Sequence, residues 1–193
     1  MKEIPSRFTW SIRSKLMQYE PLDRVARETA AVAVILKPNS ESGDRFLLIR
    51  RAERSGDPWS GQVAFPGGRV ESDDLSFAAT ATRETLEEVG VDLAAKAEFV
   101  GYMGPLQPRN RRIQVVPAIF GLKRAVEVVP SDEISSHRWI PVTDLISGKN
   151  RAEYAMEAGT VRRTVPSFQF GDYLVWGLTE RILSRLVEIS QTT

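Results

Sequence analysis

Gly67-Gly68-Arg69-Val70-Glu71-Ser72-Asp73-Asp74, then a run of apolar and small residues, then Arg83-Glu84-Thr85-Leu86-Glu87-Glu88-Val89-Gly90-Val91: this stretch decides the reading of the chain. A β-type run, Gln62-Val63-Ala64-Phe65, leads into it, and Pro66 with the two glycines is expected to end that strand. Ser72, Asp73 and Asp74 are residue types that cap helix N-termini. Leu75 to Val89 holds no Pro and no internal Gly, so a helix is expected there, closed by Gly90 in the left-handed conformation. The expected order is strand, glycine loop, helix, stop.

Glu84, Glu87 and Glu88 stand at i, i+3 and i+4, so a helix would project all three carboxylates from one face. Leu75, Ala78, Thr82, Leu86 and Val89 fall on another face, which is the expected buried stripe. Like charges at i,i+4 repel by a few tenths of a kcal/mol when exposed, and the helix dipole disfavours anions near its C-terminus. A divalent cation removes both penalties, and carboxylate oxygens suit Mg²⁺ or Mn²⁺. A bare Glu-x-x-Glu-Glu is more often a solvated helix face. The preceding strand and Gly-Gly loop, with Arg83 before and Gly90 after, make the combination much rarer.

Arg83-Glu84-Thr85-x-Glu87-Glu88-x-Gly90-Val91 resembles the second half of the Nudix box, Arg-Glu-U-x-Glu-Glu-x-Gly-U, with U a bulky apolar residue and Thr85 at the first U. The positions of the leading Gly and Glu in the commonest box hold Arg69 and Leu75, while Gly68 lies one residue further back and Asp74 stands beside the expected glutamate. This is similar to the one-residue-longer box of the coenzyme A pyrophosphatase branch, where an Asp takes that place. Gly61-Gln62-Val63-Ala64-Phe65-Pro66-Gly67-Gly68 also resembles the segment before the box in that branch. The resemblance spans about residues 30 to 186.

The resemblance implies an α/β fold, a mixed β-sheet sandwiched between helices, here with an N-terminal helical extension over residues 1–28 ahead of a domain at 29–193. It implies a hydrolase cleaving a pyrophosphate link in a nucleoside diphosphate derivative, with coenzyme A and its derivatives as candidates. ADP-ribose, dinucleotides and oxidised nucleotides are alternatives. Glu84, Glu87 and Glu88 are the implied ligands of Mg²⁺ or Mn²⁺, with the carbonyl of Gly67 or Gly68 added. Arg83 is expected to hold the carboxylates. Glu133 matches a loop acid that reaches the reacting phosphate in some members, which makes it a candidate general base, with Glu84 as its rival. A different class of reading is a catalytically silent Nudix-fold module that binds nucleotide or RNA. The intact glutamate triad argues against it.

The 193 residues suffice for one domain with extensions. With 26 basic and 25 acidic residues, net charge +1, the overall field does not call for nucleic acid. The absence of cysteine excludes disulfides and thiol catalysis and fits a cytoplasmic setting. A single histidine, His137, excludes a multi-histidine metal site. Neither a bilayer-spanning apolar run nor a signal sequence is expected. The expected partner is a small molecule, and a homodimer is compatible with the sequence.

Taken in order, residues 5–19 read as an amphipathic helix with Phe8, Ile12, Leu16 and Tyr19 on one stripe, ended by Pro21. Residues 29–36 and 45–51 read as a strand pair. The loop Gly56-Asp57-Pro58-Trp59-Ser60-Gly61 departs from the branch's usual Leu-Arg-x-His-type segment. Its Trp59 either stacks on a base or covers the core edge. Strands are expected at 97–103 and 113–122, with Pro117 marking an edge or bulge. Between them, Arg109, Arg111 and Arg112 form a phosphate clamp or a solvated loop. Arg50, Trp59, Arg109 and Arg111 are the substrate-binding candidates. Residues 125–129 read in strand style, 130–134 as a turn, and Pro141 as the start of a short helix ending near Ser147. Residues 150–159 are ambiguous, 162–170 read as a strand, and a last helix is expected from about Val175 to Ile189.

Overall fold

The computed structural model describes residues 7–20, 28–39, 43–56, 59–109, 112–158 and 161–191. Asp57, Pro58 and Arg111, and the helix-bounding Pro5 and Pro21, lie outside them. The chain runs α1 (Arg7–Arg13), β1 (Thr29–Lys37), β2 (Arg45–Arg51), β3 (Val63–Ala64), β4 (Gly67–Arg69), α2 (Phe77–Val89), α3 (Leu93–Lys96), β5 (Ala97–Tyr102) and β6 (Gln114–Leu122). It continues β7 (Ile134–Pro141), α4 (Val142–Ile146), β8 (Arg151–Ala158), β9 (Val161–Phe170), β10 (Tyr173–Trp176) and α5 (Gly177–Gln191).

The apolar run of β1 is the axis of a mixed sheet ordered β3-β2-β1-β6-β5, with β4 paired to β1 and β7 to β2. β1 lies parallel to β6 from Thr29↔Gln114 to Leu36↔Gly121 and antiparallel to its other partners. Side chains alternate between two buried faces, as strands covered on both sides require. Ala31, Ala33, Ile35, Leu47, Ile49, Val116 and Ala118 meet Phe77, Ala81 and Val89 of α2. Val34, Leu36, Phe46, Leu48 and Ile119 meet Ile182, Leu183 and Leu186 of α5, together with Ile12, Phe168, Phe170 and Tyr173. Helices therefore cover both faces of the sheet, as the α/β reading requires.

Several local expectations change. The glycines do not end a strand: Gly67 and Gly68 form β4 themselves, opposite Val32 and Ala31. Pro117 is interior, opposite Val32, and its carbonyl accepts the Met103 N–H at 2.9 Å, while the register shift falls in neighbouring β5 between Phe99 and Gly101. Residues 125–129 form no strand, and Val126 and Val128 pack against the α2 face. Within the ambiguous 150–159 segment, Arg151–Ala158 form β8, which with β9 and β10 makes a separate three-stranded antiparallel sheet. β1 and β2 pair only at Leu36↔Phe46 and Lys37↔Arg45, because β4 takes the rest of that edge of β1. Helix α1 is shorter than the expected amphipathic stripe. Ile12 and Leu16 are buried, whereas Tyr19 is 69% exposed.

Candidate active site

Helix α2 starts later than its sequence suggests. Its N-cap is Ser76, whose Oγ accepts the Ala79 N–H at 2.9 Å, so Ser72, Asp73 and Asp74 are not caps. The first-turn amides of Phe77 and Ala78 donate to Glu20 at 3.2 Å and to the Tyr102 hydroxyl at 3.1 Å, and that hydroxyl donates in turn to Glu20. Gly90 closes the helix at φ 67°, its N–H bonded to the Leu86 carbonyl at 3.0 Å, as expected.

The buried face of α2 is Phe77, Thr80, Ala81, Thr85, Glu88 and Val89. This corrects the expected stripe, since Leu75 is 85% and Leu86 51% exposed. Three polar side chains can lie on the sheet side because each is satisfied there. Thr80 Oγ1 donates to Asp74 at 2.9 Å, and Thr85 Oγ1 to the Ala81 carbonyl at 2.6 Å. Glu88 accepts the Gly67 N–H at 3.0 Å and Arg51 Nη1 at 3.2 Å.

Asp74, next to the position expected for glutamate, is a buried hub. It accepts the Glu71 N–H at 2.9 Å, the Thr80 hydroxyl, and Arg83 through Nε at 3.2 Å and Nη2 at 3.0 Å. Burial opposes its charge, but Arg83, Glu71 and Thr80 outweigh that and hold its carboxyl below the usual range. Arg83 also donates to the Arg69 carbonyl at 3.0 Å, to Glu84 at 2.9 Å and to Glu87 at 3.3 Å. One guanidinium thus joins β4, the turn after it and two of the three glutamates. Arg83 is a holder of carboxylates, as its residue type and position suggest.

Glu84 and Glu88 face β4. A Cβ on Gly68 would stand 2.3 to 2.6 Å from the Glu84 carboxylate, so only glycine leaves that carboxylate its place. On Gly67, at φ 151°, a Cβ would meet the Ala31 carbonyl oxygen at 2.2 Å. Burial pushes the Glu84 carboxyl above its usual range despite Arg83. Burial raises Glu88 to about 7 despite Gly67 and Arg51, with the charges of Glu84 and Glu133 adding to the rise. Among the described residues no three acidic side chains stand ready as a metal cage. Glu84 and Glu87 turn to Arg83, and Glu88 to Arg51 and Gly67. The donor chemistry still fits a hard divalent cation. Buried carboxylates with raised proton affinity, beside glycine backbone, gain most from a nearby positive charge.

Glu133 lies on the turn before β7, close enough for its charge to act on Glu88. That turn is fixed by the Ser131 N–H on the Glu88 carbonyl at 2.9 Å and the Ala52 N–H on the Glu133 carbonyl at 2.7 Å. Arg54 spans Glu133 at 3.1 Å and Asp132 at 3.0 Å. Arg51 and Arg54 thus join the acidic edge, although neither carries a sequence signal beyond its place at or just after the end of β2. Trp59 is 40% exposed on the loop before β3. Arg50 is engaged within the chain, on the Asp172 carbonyl at 2.6 Å and carboxylate at 3.0 Å, with its guanidinium 4.6 Å from the Tyr173 ring centre. Arg109 lines an open groove of about 440 Å³ with Gln107, Pro108 and Arg181. The structure therefore brings Gly67, Gly68, Arg83, Glu84, Glu87, Glu88 and Glu133 to one edge. Arg50 and Arg109 lie elsewhere.

Comparison with known proteins supplies the family. A family model described as the NUDIX domain matches residues 27–162. The human mitochondrial coenzyme A diphosphatase NUDT8 is 32% identical over 161 residues, covering 81% of this chain and 67% of that protein. Nudix hydrolase 15, mitochondrial, of Arabidopsis thaliana is 29% identical over 177 residues, covering 87% of this chain and 60% of the relative. The chain spans between 40% and 60% of the length of three of the curated relatives it matches. Among solved structures, a MutT protein from Methanosarcina mazei Go1 shares the fold at a TM-score of 0.53 and 20% identity, over 86% of this chain and 96% of that one. With the glycine strand, the Arg83 hub and the three glutamates in place beneath this match, the chain belongs to the Nudix hydrolase family.

Proposed function

We propose that this protein hydrolyses a pyrophosphate link in a nucleoside diphosphate derivative, with coenzyme A and its derivatives as the first substrates to test. The observation that carries the reading is the packing of Glu84 and Glu88 against the Gly67–Gly68 strand, with Asp74 and Arg83 fixing the helix to that strand. The substrate class is supported by the likeness to the human coenzyme A diphosphatase. Glu84, Glu87 and Glu88, with the carbonyl of Gly67 or Gly68, would hold Mg²⁺ or Mn²⁺. When bound, that ion neutralises phosphate oxygens and makes a water more acidic.

The chain's own residues do the rest. Arg83 keeps Glu84 and Glu87 aligned through its anchor on Asp74. The Gly67 N–H orients Glu88. Glu133 takes a proton from the attacking water, and its turn places it beside the glutamate edge. Glu84 is the rival base, but it is the more buried of the two; each carries an arginine, Arg83 on Glu84 and Arg54 on Glu133. Trp59, half-exposed on the loop before β3, stacks on the base or on another flat group of the substrate. The cytoplasm is the proposed setting. No helix among the described residues is long and apolar enough to cross a membrane.

The test is a panel of coenzyme A, acyl-coenzyme A, ADP-ribose, dinucleoside polyphosphates and oxidised nucleoside triphosphates. Each is incubated with Mg²⁺ or Mn²⁺, and products are identified by mass. Two phosphate-bearing fragments from one substrate, lost in Glu88→Gln, are expected. Absence of hydrolysis across the panel with either metal overturns the enzymatic reading and favours a binding module.

A further inference from the structure

The geometry points to a second anion site: the groove between residues 107–109 and α5 binds a phosphate monoester of the substrate that lies outside the link being cleaved, with Arg109 and Arg181 as its cations. This rests on the proposed nucleoside diphosphate substrate and extends it to one carrying a further phosphate.

The first observation is charge without compensation. The groove is lined by Gln107, Pro108, Arg109 and Arg181, and no acidic residue is among them. Arg50, Arg51, Arg54, Arg83 and Arg138 each sit on a carboxylate. Among the described residues neither Arg109 nor Arg181 does. Among its lining residues the groove thus brings two guanidinium groups together with no carboxylate beside them. A phosphate monoester offers enough oxygens for both forks.

The second observation is that the groove is prebuilt. Arg181 Nη1 donates to the Gln107 carbonyl at 2.7 Å, and the Gln107 side chain accepts Gln114 Nε2 at 3.2 Å. Leu106 and Val115 exchange backbone hydrogen bonds at 2.9 and 2.8 Å, which fastens this wall to β6. Arg181 and Gln107 are thus held before binding, so less of their contact energy is spent on ordering.

The third observation is distance. Arg69 pairs with Ala30, Ala30 with Val115, and Val115 with Leu106. Three strand spacings of about 4.8 Å separate the glycine strand from the groove wall by roughly 14 Å. The two phosphorus atoms of a diphosphate share one bridging oxygen, so neither reaches the groove from the Glu84–Glu88 edge. The occupant is a separate phosphate on the same substrate, on its ribose or at the end of a longer chain.

Binding is measured first, by calorimetry on the full chain, with AMP, adenosine 3′,5′-bisphosphate and ATP as probes. At least one doubly or multiply phosphorylated probe should bind tenfold or more tighter than AMP. Arg181→Gln and Arg109→Gln should each reduce that advantage to under threefold while leaving AMP affinity unchanged. Preference for the bisphosphate assigns the groove to a ribose phosphate, and preference for ATP to a chain phosphate. Equal affinity of the wild type for all three probes overturns the proposal, as does an advantage that both variants retain. The second arm compares kcat/KM for coenzyme A and dephospho-coenzyme A. A ratio above tenfold that collapses in Arg181→Gln supports the site. If neither compound is hydrolysed, the substrate reading fails while the binding arm still decides the subsite.

Discussion

Glu88→Gln is expected to stabilise the metal-free protein at alkaline pH while disabling it. Glu88 is 4% exposed, and burial raises its carboxyl to about 7 from an ordinary 4.5. Because the folded state holds this proton more tightly than the unfolded state, the favourable contribution is complete below about pH 4.5. It is lost as pH rises through 7. The span corresponds to about 3 kcal/mol at 1.36 kcal/mol per unit. Glu84, also raised by burial, contributes with the same sign. Glutamine keeps the shape and cannot ionise, so the variant should lose most of the Glu88 part of the slope. It also forfeits the charged contact with Arg51, which offsets some of the gain. The assay is urea unfolding in chelator at pH 5 and pH 8. Wild type should weaken by about 2–3 kcal/mol between these values and the variant by markedly less, while turnover with metal falls by ~10²-fold or more, the scale of losing one electrostatic contributor. Identical pH slopes for the two proteins would refute the buried-charge argument, and turnover within a few-fold of wild type would refute the ligand assignment.

The other predictions separate fold from chemistry. Gly68→Ala should leave stability nearly unchanged, since the atoms its Cβ meets are the flexible end of Glu84, yet turnover should drop roughly 10²-fold as that carboxylate is displaced; full activity would show that Glu84 need not stand there. Gly67→Ala, whose Cβ meets the backbone of Ala31 and Val32, should cost roughly 3 kcal/mol in urea unfolding, and a near-neutral result would refute the stated contact. Arg50→Ala should cost about 1 kcal/mol through the Asp172 and Tyr173 contacts and leave KM unchanged, whereas a raised KM at unaltered stability would return Arg50 to the substrate site. Glu133→Gln should lower kcat by ~10²–10⁴-fold with metal affinity intact, and a change under threefold at saturating substrate and metal would end its role as base.

What was legible in the sequence was whatever followed hydrophobic alternation or a terminating glycine. β1, β2, β5, β6 and the stop at Gly90 fall where those signals put them. Pattern reading failed where polar residues are buried and apolar ones exposed. Leu75 and Leu86 were read as the core stripe of α2, while Thr80, Thr85 and Glu88 hold that place. No periodicity reveals this, because each is buried only by virtue of a partner distant in the chain or one turn back. β8 was obscured for a related reason: it joins only a three-stranded sheet, with Arg151 and Glu153 exposed, so its alternation is weak. Pro117 signals an edge or bulge through its missing N–H, yet its carbonyl is still paired and the neighbouring strand absorbs the irregularity. At the active edge the glutamates and glycines were readable as a motif. Arg51 and Arg54 were not, since an arginine at or just past the end of a strand carries no local sign of what it will face.

The longer turn between β4 and α2 explains why an aspartate serves one position before the residue expected to be glutamate. Asp74 follows a tight turn in which its own N–H returns to the Glu71 carbonyl at 3.2 Å and its carboxylate accepts the Glu71 N–H at 2.9 Å. The extra residue brings the backbone back toward the helix, so a short side chain suffices to meet Thr80 and Arg83. A glutamate at 74 would carry its carboxylate one methylene further, into space held by the Arg83 guanidinium. At position 75 a side chain points outward, as the exposure of Leu75 shows. The physical requirement is that a buried anion hold Arg83, so that Arg83 can hold Glu84 against the glycine strand and keep Glu87 beside it.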